Sequence, residues 1–366
     1  MKKKTKKGAK RRPAAPPIPR TYEAVVMVGL EDIARRELTT ILKKELTLHR
    51  STPATPEGVI RFTYSGSPYA LLRLKTIQAI YLAQQFDVAR PRALLGNENF
   101  HTLHQEINAI LGLHPDYAFG TFFISAAGSQ STILQRLKTE IAAATGLTAG
   151  VDEGDLHLRL RPSPGQQTGW EILLRLSPRP LATRPWRVCN MEGALNATVA
   201  HAMALMTDPM PYDTYLNLGC GSGTLLVERL ACAPARKIMG CDISHEALYC
   251  AQANIEAAGY LDAINLHDWD ACDLPMAAGS IDALTIDLPF GHMVGSHETN
   301  KTLYPAIMAE AARVAKKGAL FALITHEIRL MQAIIEENTR WQVITENKIA
   351  LGGLNPRIFV LKRLAE

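Results

Sequence analysis

The sequence predicts an α/β protein with a mostly parallel sheet in its C-terminal half and smaller α+β units before it. From Thr214 onward, short apolar runs alternate with helical patterns, as they do in βαβ units. The run from Ile281 to Ile286 shows little alternation, which is typical of a strand covered on both faces. Before residue 190, strand and helix patterns follow one another without a regular βαβ order. The chain therefore divides into an α+β first half and an α/β second half.

Length and composition limit the class of protein. The 366 residues, with 47% hydrophobic content, are enough for two or three domains with large cores. The chain has no apolar run of about 18 residues, and its start lacks the apolar region of a signal peptide. We therefore expect a cytoplasmic protein without a membrane segment.

The cysteines give no sign of a metal site. They all lie in the second half, and none forms a Cys-x-x-Cys pair: Cys189, Cys220, Cys232, Cys241, Cys250 and Cys272. We therefore expect neither structural zinc nor a disulfide framework.

The net charge of +5 is unevenly distributed. Residues 1–20 carry nine Lys or Arg and no acid, residues 21–190 carry 18 bases and 15 acids, and residues 191–366 carry 13 bases and 20 acids. Lys and Arg contacts to phosphate supply most non-specific affinity for nucleic acids, so a polyanionic substrate must be held mainly by the first half. Residues 1–20 are expected to be disordered, either as a tether to RNA phosphates or as a dispensable tail.

In the first half, we predict six strands and four helices. Strand patterns occur over residues 22–29, 59–64, 80–88, 117–126, 156–160 and 170–176, and helical periodicity occurs over residues 30–43, 67–78, 100–111 and 131–144.

In the second half, the patterns predict the strands of one sheet. These strands cover residues 214–218, 237–241, 263–267, 281–286, 319–324, 343–348 and 358–364, and the last two are expected to pair antiparallel. Helices are predicted over residues 192–206, 224–231, 303–315 and 327–335, with another after Ser244. Residues 292–300 are rich in glycine and polar residues and are predicted to form a mobile lid. We predict no metal site in this lid, because His292, His297 and Glu298 lack a further ligand at matching spacing.

The segment Asp287-Leu288-Pro289-Phe290 ends the most apolar strand of the second half. Pro289 favours extended geometry at Leu288, so the Leu288 carbonyl and the Asp287 carboxylate can face the same volume, beside the ring of Phe290. Two acceptors beside an aromatic ring suit a planar group with an exocyclic amine, such as a nucleobase or an amide. An ordinary turn after a strand is the alternative interpretation.

A second candidate site is the glycine-rich turn after the strand 214–218. Gly219, Gly221 and Gly223 let the backbone approach a ligand, and the N–H groups at the start of the next helix favour an anionic group. A dinucleotide fingerprint would place the last glycine one position later. This spacing disfavours a nicotinamide dehydrogenase.

Acidic residues follow the neighbouring strands. Asp242 lies where a carboxylate would accept from both ribose hydroxyls of a nucleoside, and Asp270 or Asp268 follows the next strand. Each of these acids alone suits an ordinary solvated loop. Their succession with Asp287 at the carboxyl ends of parallel strands predicts a common binding cleft.

Several motifs together resemble those of the THUMP-domain-containing tRNA guanine-N2 methyltransferases. Asp-Leu-Pro-Phe-Gly, from Asp287, is similar to the (Asp/Asn)-Pro-Pro-(Tyr/Phe) signature of S-adenosylmethionine-dependent amino methyltransferases, with Leu288 in place of the commoner proline. The resemblance extends over most of the chain through Gly29-Leu30-Glu31, Gly193 to Thr198, Leu303-Tyr304-Pro305 and Gly352-Gly353-Leu354.

The resemblance implies a domain order. Residues 1–20 would be a disordered basic tail, 21–90 a ferredoxin-like domain, 91–180 a THUMP RNA-binding domain, 181–192 a linker, and 193–366 a Rossmann-like class I methyltransferase domain with a seven-stranded, mostly parallel sheet. The linker resembles the family's exit segment in its arginine spacing, so RNA phosphate contacts are expected from Arg179, Arg184 and Arg187. Structural surface arginines are the alternative.

The resemblance also implies the site residues. The catalytic segment would be Asp287, Leu288, Pro289 and Phe290. S-adenosylmethionine would be held by Asn196, Thr198, Gly219, Gly221, Ser222, Gly223, Thr224, Asp242, Ile243, Asp270, Ala271 and Asp287. Asn196 and Thr198 could equally be polar groups at the start of a helix.

The activity implied is transfer of a methyl group to the exocyclic amine of the sixth nucleotide of tRNA, a guanine in the acceptor stem. The protein would act as a monomer on tRNA, although some relatives require a small activating subunit. The alternatives are an amino methyltransferase acting on another RNA such as rRNA, on DNA adenine or on protein glutamine, and a non-enzymatic RNA-binding module.

Overall fold

The computed structural model describes residues 18–52, 55–128, 131–165, 168–289, 296–351 and 353–365. Within these residues the chain forms an eight-stranded sheet followed by a seven-stranded sheet. Most of the predicted basic tail, along with Phe290, Gly291, His292 and Gly352, lies outside the described residues.

The first half forms one sheet with helices. Its elements are β1 (Arg20–Val26), α1 (Glu31–Leu42), β2 (Leu46–Leu48), β3 (Val59–Tyr64), α2 (Pro68–Leu71), β4 (Ile77–Phe86), α3 (Asn97–Leu111), β5 (Thr121–Ala126), α4 (Thr132–Thr145), β6 (Thr148–Ala149), β7 (Leu156–Pro162) and β8 (Trp170–Arg175). The strand order is β2-β3-β1-β4-β8-β7-β5-β6. Because β4 pairs antiparallel with β8, the segments before and after residue 90 share one sheet and one hydrophobic core.

One helix prediction in this half is wrong. Residues 67–78 were expected to be helical, but the helix α2 ends at Leu71 and β4 begins at Ile77. The N–H groups of Lys75 and Thr76 donate to the buried carboxylate of Glu37, at 2.7 and 2.9 Å. These N–H groups are therefore satisfied by a side chain from α1 and not by helical carbonyls. The short strands β2 and β6 were not predicted.

The second half forms the seven-stranded sheet. Its elements are α5 (Ala197–Met206), β9 (Thr214–Leu218), α6 (Thr224–Cys232), β10 (Lys237–Cys241), α7 (His245–Ala257), β11 (Ile264–His267), β12 (Ile281–Asp287), α8 (His297–Val314), β13 (Ala315–Thr325), α9 (Ile328–Glu337), β14 (Trp341–Lys348) and β15 (Arg357–Arg363). The order is β11-β10-β9-β12-β13-β15-β14. The first five strands are parallel, and β15 runs antiparallel to both of its neighbours, β13 and β14.

This arrangement confirms the predicted mostly parallel sheet. The strand order changes direction between β9 and β12, so the helices after these strands lie on opposite faces and leave a crevice at the carboxyl edge. The antiparallel pair was also predicted, at residues 343–348 and 358–364. No helix within the described ranges is long and apolar enough to cross a membrane.

The two halves pack directly against each other. Met27, Leu30 and Ile33 from the first half share a buried cluster with Val199 and Ile349 from the second. The N–H of Ala350 donates to the carbonyl of Val28 at 3.2 Å. The second sheet is therefore buttressed by the turn before α1.

Two expectations about the second half need correction. Residues 297–300 of the predicted lid form the first turn of α8, because the Ser296 hydroxyl accepts from the N–H of Thr299 in a capping box. No disulfide framework was expected, but one disulfide joins Cys189 to Cys250. The Asn254 side-chain oxygen accepts from the N–H groups of Val188 and Cys189, both at 2.9 Å, and so brings Cys189 against α7.

Candidate active site

A cleft of about 480 Å³ opens at the carboxyl edge of the second sheet. It is lined by residues 191–195, by the glycine loop after β9, by the residues that follow β10, and by Asp287, Leu288 and Pro289 at the end of β12. Leu303 of α8 completes the wall. The structure thus brings the glycine loop, Asp242 and the Asp287 segment to one cavity, as their positions at strand ends predicted.

The glycine loop leaves room for a ligand. Gly219 and Gly221 have positive φ angles of 54° and 51°, and a Cβ atom on either would meet no other atom within 4 Å. Both residues line the cleft. Gly223 differs, because a Cβ there would lie 3.1 Å from the Cβ of Ala251. The first two glycines therefore keep the cleft open, whereas the third allows α6 to pack on α7.

Asp242 is held by the backbone around it. Its Oδ2 accepts from the N–H of Gly221 at 2.9 Å, and its Oδ1 accepts from the N–H of Ser244 at 3.0 Å. Each carboxylate oxygen can accept a second hydrogen bond. Beside it, Ile243 lines the cleft with 71% of its surface exposed. A carboxylate and an exposed apolar side chain at this position suit the ribose diol and the adenine ring of a nucleoside.

Asp287 is in the opposite situation. Its Oδ1 is buried and has no hydrogen-bond partner among the residues that the structure describes. Burial alone raises the pKa of the Asp287 carboxyl to about 7. A buried polar atom without a partner destabilises the fold by about 1 to 3 kcal/mol, so its presence in a cleft indicates a binding or catalytic role.

The chain directly after Asp287 is anchored at two points. The N–H of Leu288 donates to the carbonyl of Ile324 on β13 at 3.1 Å, and the Leu288 side chain is buried in the core. The carbonyl of Pro289 accepts from Asn300 Nδ2 at 3.1 Å and from the Tyr304 hydroxyl at 2.7 Å. The sequence motif around Tyr304 was noted without a role, and Asn300 was missed.

Some predicted cofactor residues do not line the cleft. Asn196 caps α5, where its Oδ1 accepts from the N–H and the hydroxyl of Thr198 at 2.9 and 2.7 Å, and Thr198 is fully buried. Asp270 lies on the surface, where its Oδ1 accepts from the N–H of Cys272 at 2.8 Å, and Ala271 packs against the core. The cleft wall is formed instead by residues 191–195. The predicted helix over 192–206 is therefore too long at its start, because α5 begins at Ala197 with Asn196 as its cap.

Arg184 is buried, which contradicts its predicted contact with RNA. It is 5% exposed, and its Nε donates to Glu228 at 2.7 Å while its Nη2 donates to the carbonyl of Lys75 at 2.6 Å. The guanidinium therefore joins the first half of the chain to α6. No pattern near Arg184 signalled this, because Glu228 is 44 positions away.

Arg187 also has protein partners. Its Nη2 donates to the carbonyl of Leu195 at 2.7 Å and to the hydroxyl of Thr224 at 2.8 Å. It therefore links the cleft wall to the start of α6, which speaks against the predicted phosphate contact. Arg179 is exposed, and its contact with RNA stays a prediction.

The fold and the cleft define a class I methyltransferase domain. Residues 184–357 match the family described as "UPF0020: RMKL-like, methyltransferase domain". A crystal structure of TrmN from Thermus thermophilus matches with a TM-score of 0.72, covering 94% of this chain and 99% of that chain at 21% identity. That likeness shows a common fold over both halves.

Two curated relatives illustrate the similarity in sequence. The Homo sapiens protein "tRNA (guanine(6)-N(2))-methyltransferase THUMP3" is 30% identical over 183 residues, which are 46% of this chain and 36% of that protein. The Mus musculus protein "U6 snRNA (guanine-N(2))-methyltransferase THUMPD2" is 34% identical over 155 residues, which are 42% of this chain and 28% of that protein. The chain spans about a third of the length of these relatives.

Proposed function

We propose that this protein is a tRNA guanine-N2 methyltransferase that uses S-adenosylmethionine. The observation that carries the proposal is the carboxyl of Asp287, whose Oδ1 is buried without a donor among the described residues and which shares one cleft with the glycine loop. The methyltransferase family of residues 184–357 and the names of the two relatives support the same activity. By the resemblance of the sequence motifs, the target is the sixth nucleotide, in the acceptor stem.

The cleft fits S-adenosylmethionine. Gly219 and Gly221 leave open space where a Cβ would intrude, which suits the close approach of the methionine portion. Asp242 would accept from the ribose hydroxyls, and Ile243 would contact the adenine ring. When bound, the cofactor supplies a methyl group activated by a sulfonium.

Asp287 would orient the amine of the substrate. The exocyclic nitrogen of guanine is a poor nucleophile because its lone pair is delocalised into the ring, so its orientation toward the methyl group has to be imposed. The Asp287 carboxylate would accept one N–H of the amine, and the Leu288 carbonyl would accept the other. Phe290, by its place in the motif, would stack on the base.

Asp287 is also suited to take up the proton that the amine must lose. Its pKa of about 7 lies near neutral pH, where a carboxylate can accept a proton and release it again. As the bond between the amine nitrogen and the methyl carbon forms, the sulfur–methyl bond would break with its electron pair left on sulfur, and one amine proton would pass to the Asp287 carboxylate and from there to solvent. The same carboxyl therefore positions the nucleophile and balances the charge.

The target guanine has to leave the helical stem. A base paired in the acceptor stem cannot reach a cleft of this kind, so the base must be flipped out or the stem opened locally, at a cost of a few kcal/mol. The first half of the chain and the basic tail would hold the RNA, because the methyltransferase half is acidic. We propose that the protein works in the cytoplasm and as a monomer.

The main alternative is that the substrate is an RNA other than tRNA. The name of the mouse relative gives U6 snRNA as the RNA that it methylates, which is a substrate other than tRNA. Ribosomal RNA, DNA adenine and protein glutamine remain chemically compatible with the catalytic segment alone.

The proposal is tested by supplying labelled S-adenosylmethionine with separate pools of tRNA, U6 snRNA, rRNA, DNA and protein. We expect label in tRNA, recovered as N2-methylguanosine by nucleoside mass spectrometry and mapped to the sixth nucleotide. In a separate arm of the assay, a small activating subunit from the same organism should be added. Label found only in another pool would contradict the proposal.

A further inference from the structure

The carbonyl of Pro289 is held by two side chains of α8. The Tyr304 hydroxyl lies 2.7 Å from this oxygen, and Asn300 Nδ2 lies 3.1 Å from it. The two residues are four positions apart and therefore face the same side of the helix. Both are fully buried. The end of the Asp287 segment is thus fixed by helix α8, through residues 11 and 15 positions further along the chain.

The direction of these hydrogen bonds is set by their chemistry. A carbonyl oxygen only accepts, so the single proton of the Tyr304 hydroxyl points to Pro289, and the amide nitrogen of Asn300 faces the same oxygen. Tyr304 also lies 2.9 Å from the hydroxyl of Thr325, so Thr325 must donate to Tyr304. The Thr325 oxygen in turn accepts from the N–H of Glu327 at 3.0 Å. The chain of donors therefore runs from β13 through Tyr304 to Pro289.

Together with the Leu288 contact, this chain anchors the segment at two points. The N–H of Leu288 is bound to Ile324, the residue next to Thr325 on β13. The Leu288 carbonyl lies between these anchors, and Asp287 directly precedes the first of them. Movement of the segment would therefore break hydrogen bonds to both β13 and α8.

Within the described part of the chain, the same geometry leaves the Oδ1 atom of Asp287 without a donor. Burial first, and then the charges of Glu327 and Asp287, raise the pKa of Tyr304 to about 12. Tyr304 is therefore close enough to Asp287 for the Asp287 charge to affect its hydroxyl. Its proton is nevertheless directed to Pro289. Asn300 retains a buried Oδ1 without a partner, an arrangement that destabilises the fold and needs a reason beyond packing.

We infer that Tyr304 and Asn300 are positioning residues for methyl transfer, which fix the Pro289 carbonyl so that Asp287 and the Leu288 carbonyl face the amine and Asp287 stays free to accept from it. This inference rests on the proposed function, because it assigns these residues a role in the same reaction. Neither residue touches the substrate. Their contribution is to the geometry of the groups that do.

The test compares Tyr304→Phe with Tyr215→Phe. Tyr304→Phe removes only the hydroxyl and keeps the ring in the core. Tyr215, on β9, is an equally buried tyrosine whose hydroxyl contacts Thr285 on β12, two residues before Asp287, so Tyr215→Phe is a matched control that removes a hydroxyl contact with the strand of Asp287. Asn300→Ala serves as the second variant if Tyr304→Phe does not fold.

The kinetic readout separates positioning from binding. At saturating tRNA and cofactor, we expect Tyr304→Phe to lower kcat by about 10- to 100-fold, because small misplacements of reacting groups have effects of this size. The Kd for S-adenosylmethionine should stay within twofold, and Tyr215→Phe should keep the parent kcat. Equal kcat values in both variants would overturn the inference.

A second readout does not depend on activity. Infrared difference spectroscopy follows the titration of the Asp287 carboxyl in the free protein. We expect the midpoint to shift in Tyr304→Phe, whose segment can relax toward solvent, and to stay unchanged in Tyr215→Phe. If the parent methylates none of the offered pools, the proposed function fails while this spectrum still tests the positioning. If the parent is active and the titration midpoint of Asp287 is unchanged in Tyr304→Phe, the inference is overturned while the proposed function stands.

Discussion

Asp242 and Asp287 both lie at the carboxyl ends of parallel strands in one sheet and line the same cleft, yet their surroundings are opposite. Asp242 accepts backbone hydrogen bonds on both oxygens. Asp287 has a buried oxygen without any partner and a pKa raised by burial to about 7. A carboxylate that is already bound to the protein suits the stable holding of a ligand. One kept without donors suits a group that must accept from the substrate and then take its proton.

The largest expected effect comes from removing the unpaired carboxylate. Asp287→Ala should lower kcat for methyl transfer by about 10³-fold, because it removes both the orientation of the amine and the proton acceptor. The affinity for S-adenosylmethionine should change little, since Asp242 and the glycine loop remain. Single-turnover kinetics and calorimetry measure the two quantities. A variant with near-parent turnover would remove the distinction between the two carboxylates.

Removing the other carboxylate should have the reverse pattern. Asp242→Ala should raise the Kd for S-adenosylmethionine by about 10²-fold, because two hydrogen bonds from ribose hydroxyls to a charged group are lost. At saturating cofactor, kcat should stay within a few-fold of the parent. Calorimetry at several cofactor concentrations checks this. A large loss of kcat with unchanged Kd would show that the two roles are assigned the wrong way round.

A smaller effect is expected on stability and its dependence on pH. The unfolded chain ionises Asp287 above about pH 4, whereas the folded protein retains the proton until about pH 7. The folded state therefore binds more protons in this window, and its free energy of unfolding falls as pH rises from 4 to 7. Asp287→Asn cannot ionise and does not share this fall.

Urea unfolding of the parent and of Asp287→Asn at pH 4 and pH 8 measures that difference. The free energy of unfolding of Asp287→Asn, relative to the parent, should increase by about 3 kcal/mol between the two pH values. Any effect of the new amide on the free energy of unfolding that is equal at both pH values cancels in this difference. Parallel pH dependences in both proteins would mean that the Asp287 carboxyl is solvated in the folded state.

Local patterns were sufficient to predict the sheet and the elements of the cleft. The strand, glycine loop and helix around Gly221 form a short continuous segment, and the acids follow their strands directly, so their meeting at the carboxyl edge depends only on parallel topology. The apolar run before Asp287 also predicted a strand buried on both faces, as β12 is.

Contacts between distant segments were not predictable. Arg184 is buried because it meets Glu228 on α6, and Asn254 brings Cys189 to Cys250 across 61 positions of sequence. The roles of Tyr304 and Asn300 depend on how α8 packs over the end of β12. The residue pattern of α8 alone does not indicate this packing. Asn196 and Thr198 were assigned to the cofactor by resemblance, but their hydrogen bonds cap a helix.

The most direct test of the account is the titration of the Asp287 carboxyl itself, observed by carbon NMR in protein labelled at aspartate and assigned by comparison with Asp287→Asn. A midpoint near pH 7 in the free protein, which moves lower when a guanine-containing RNA fills the cleft and donates to the carboxylate, is the predicted result. A midpoint near pH 4 in the free protein, unaffected by RNA, would show a solvated carboxylate and contradict the account.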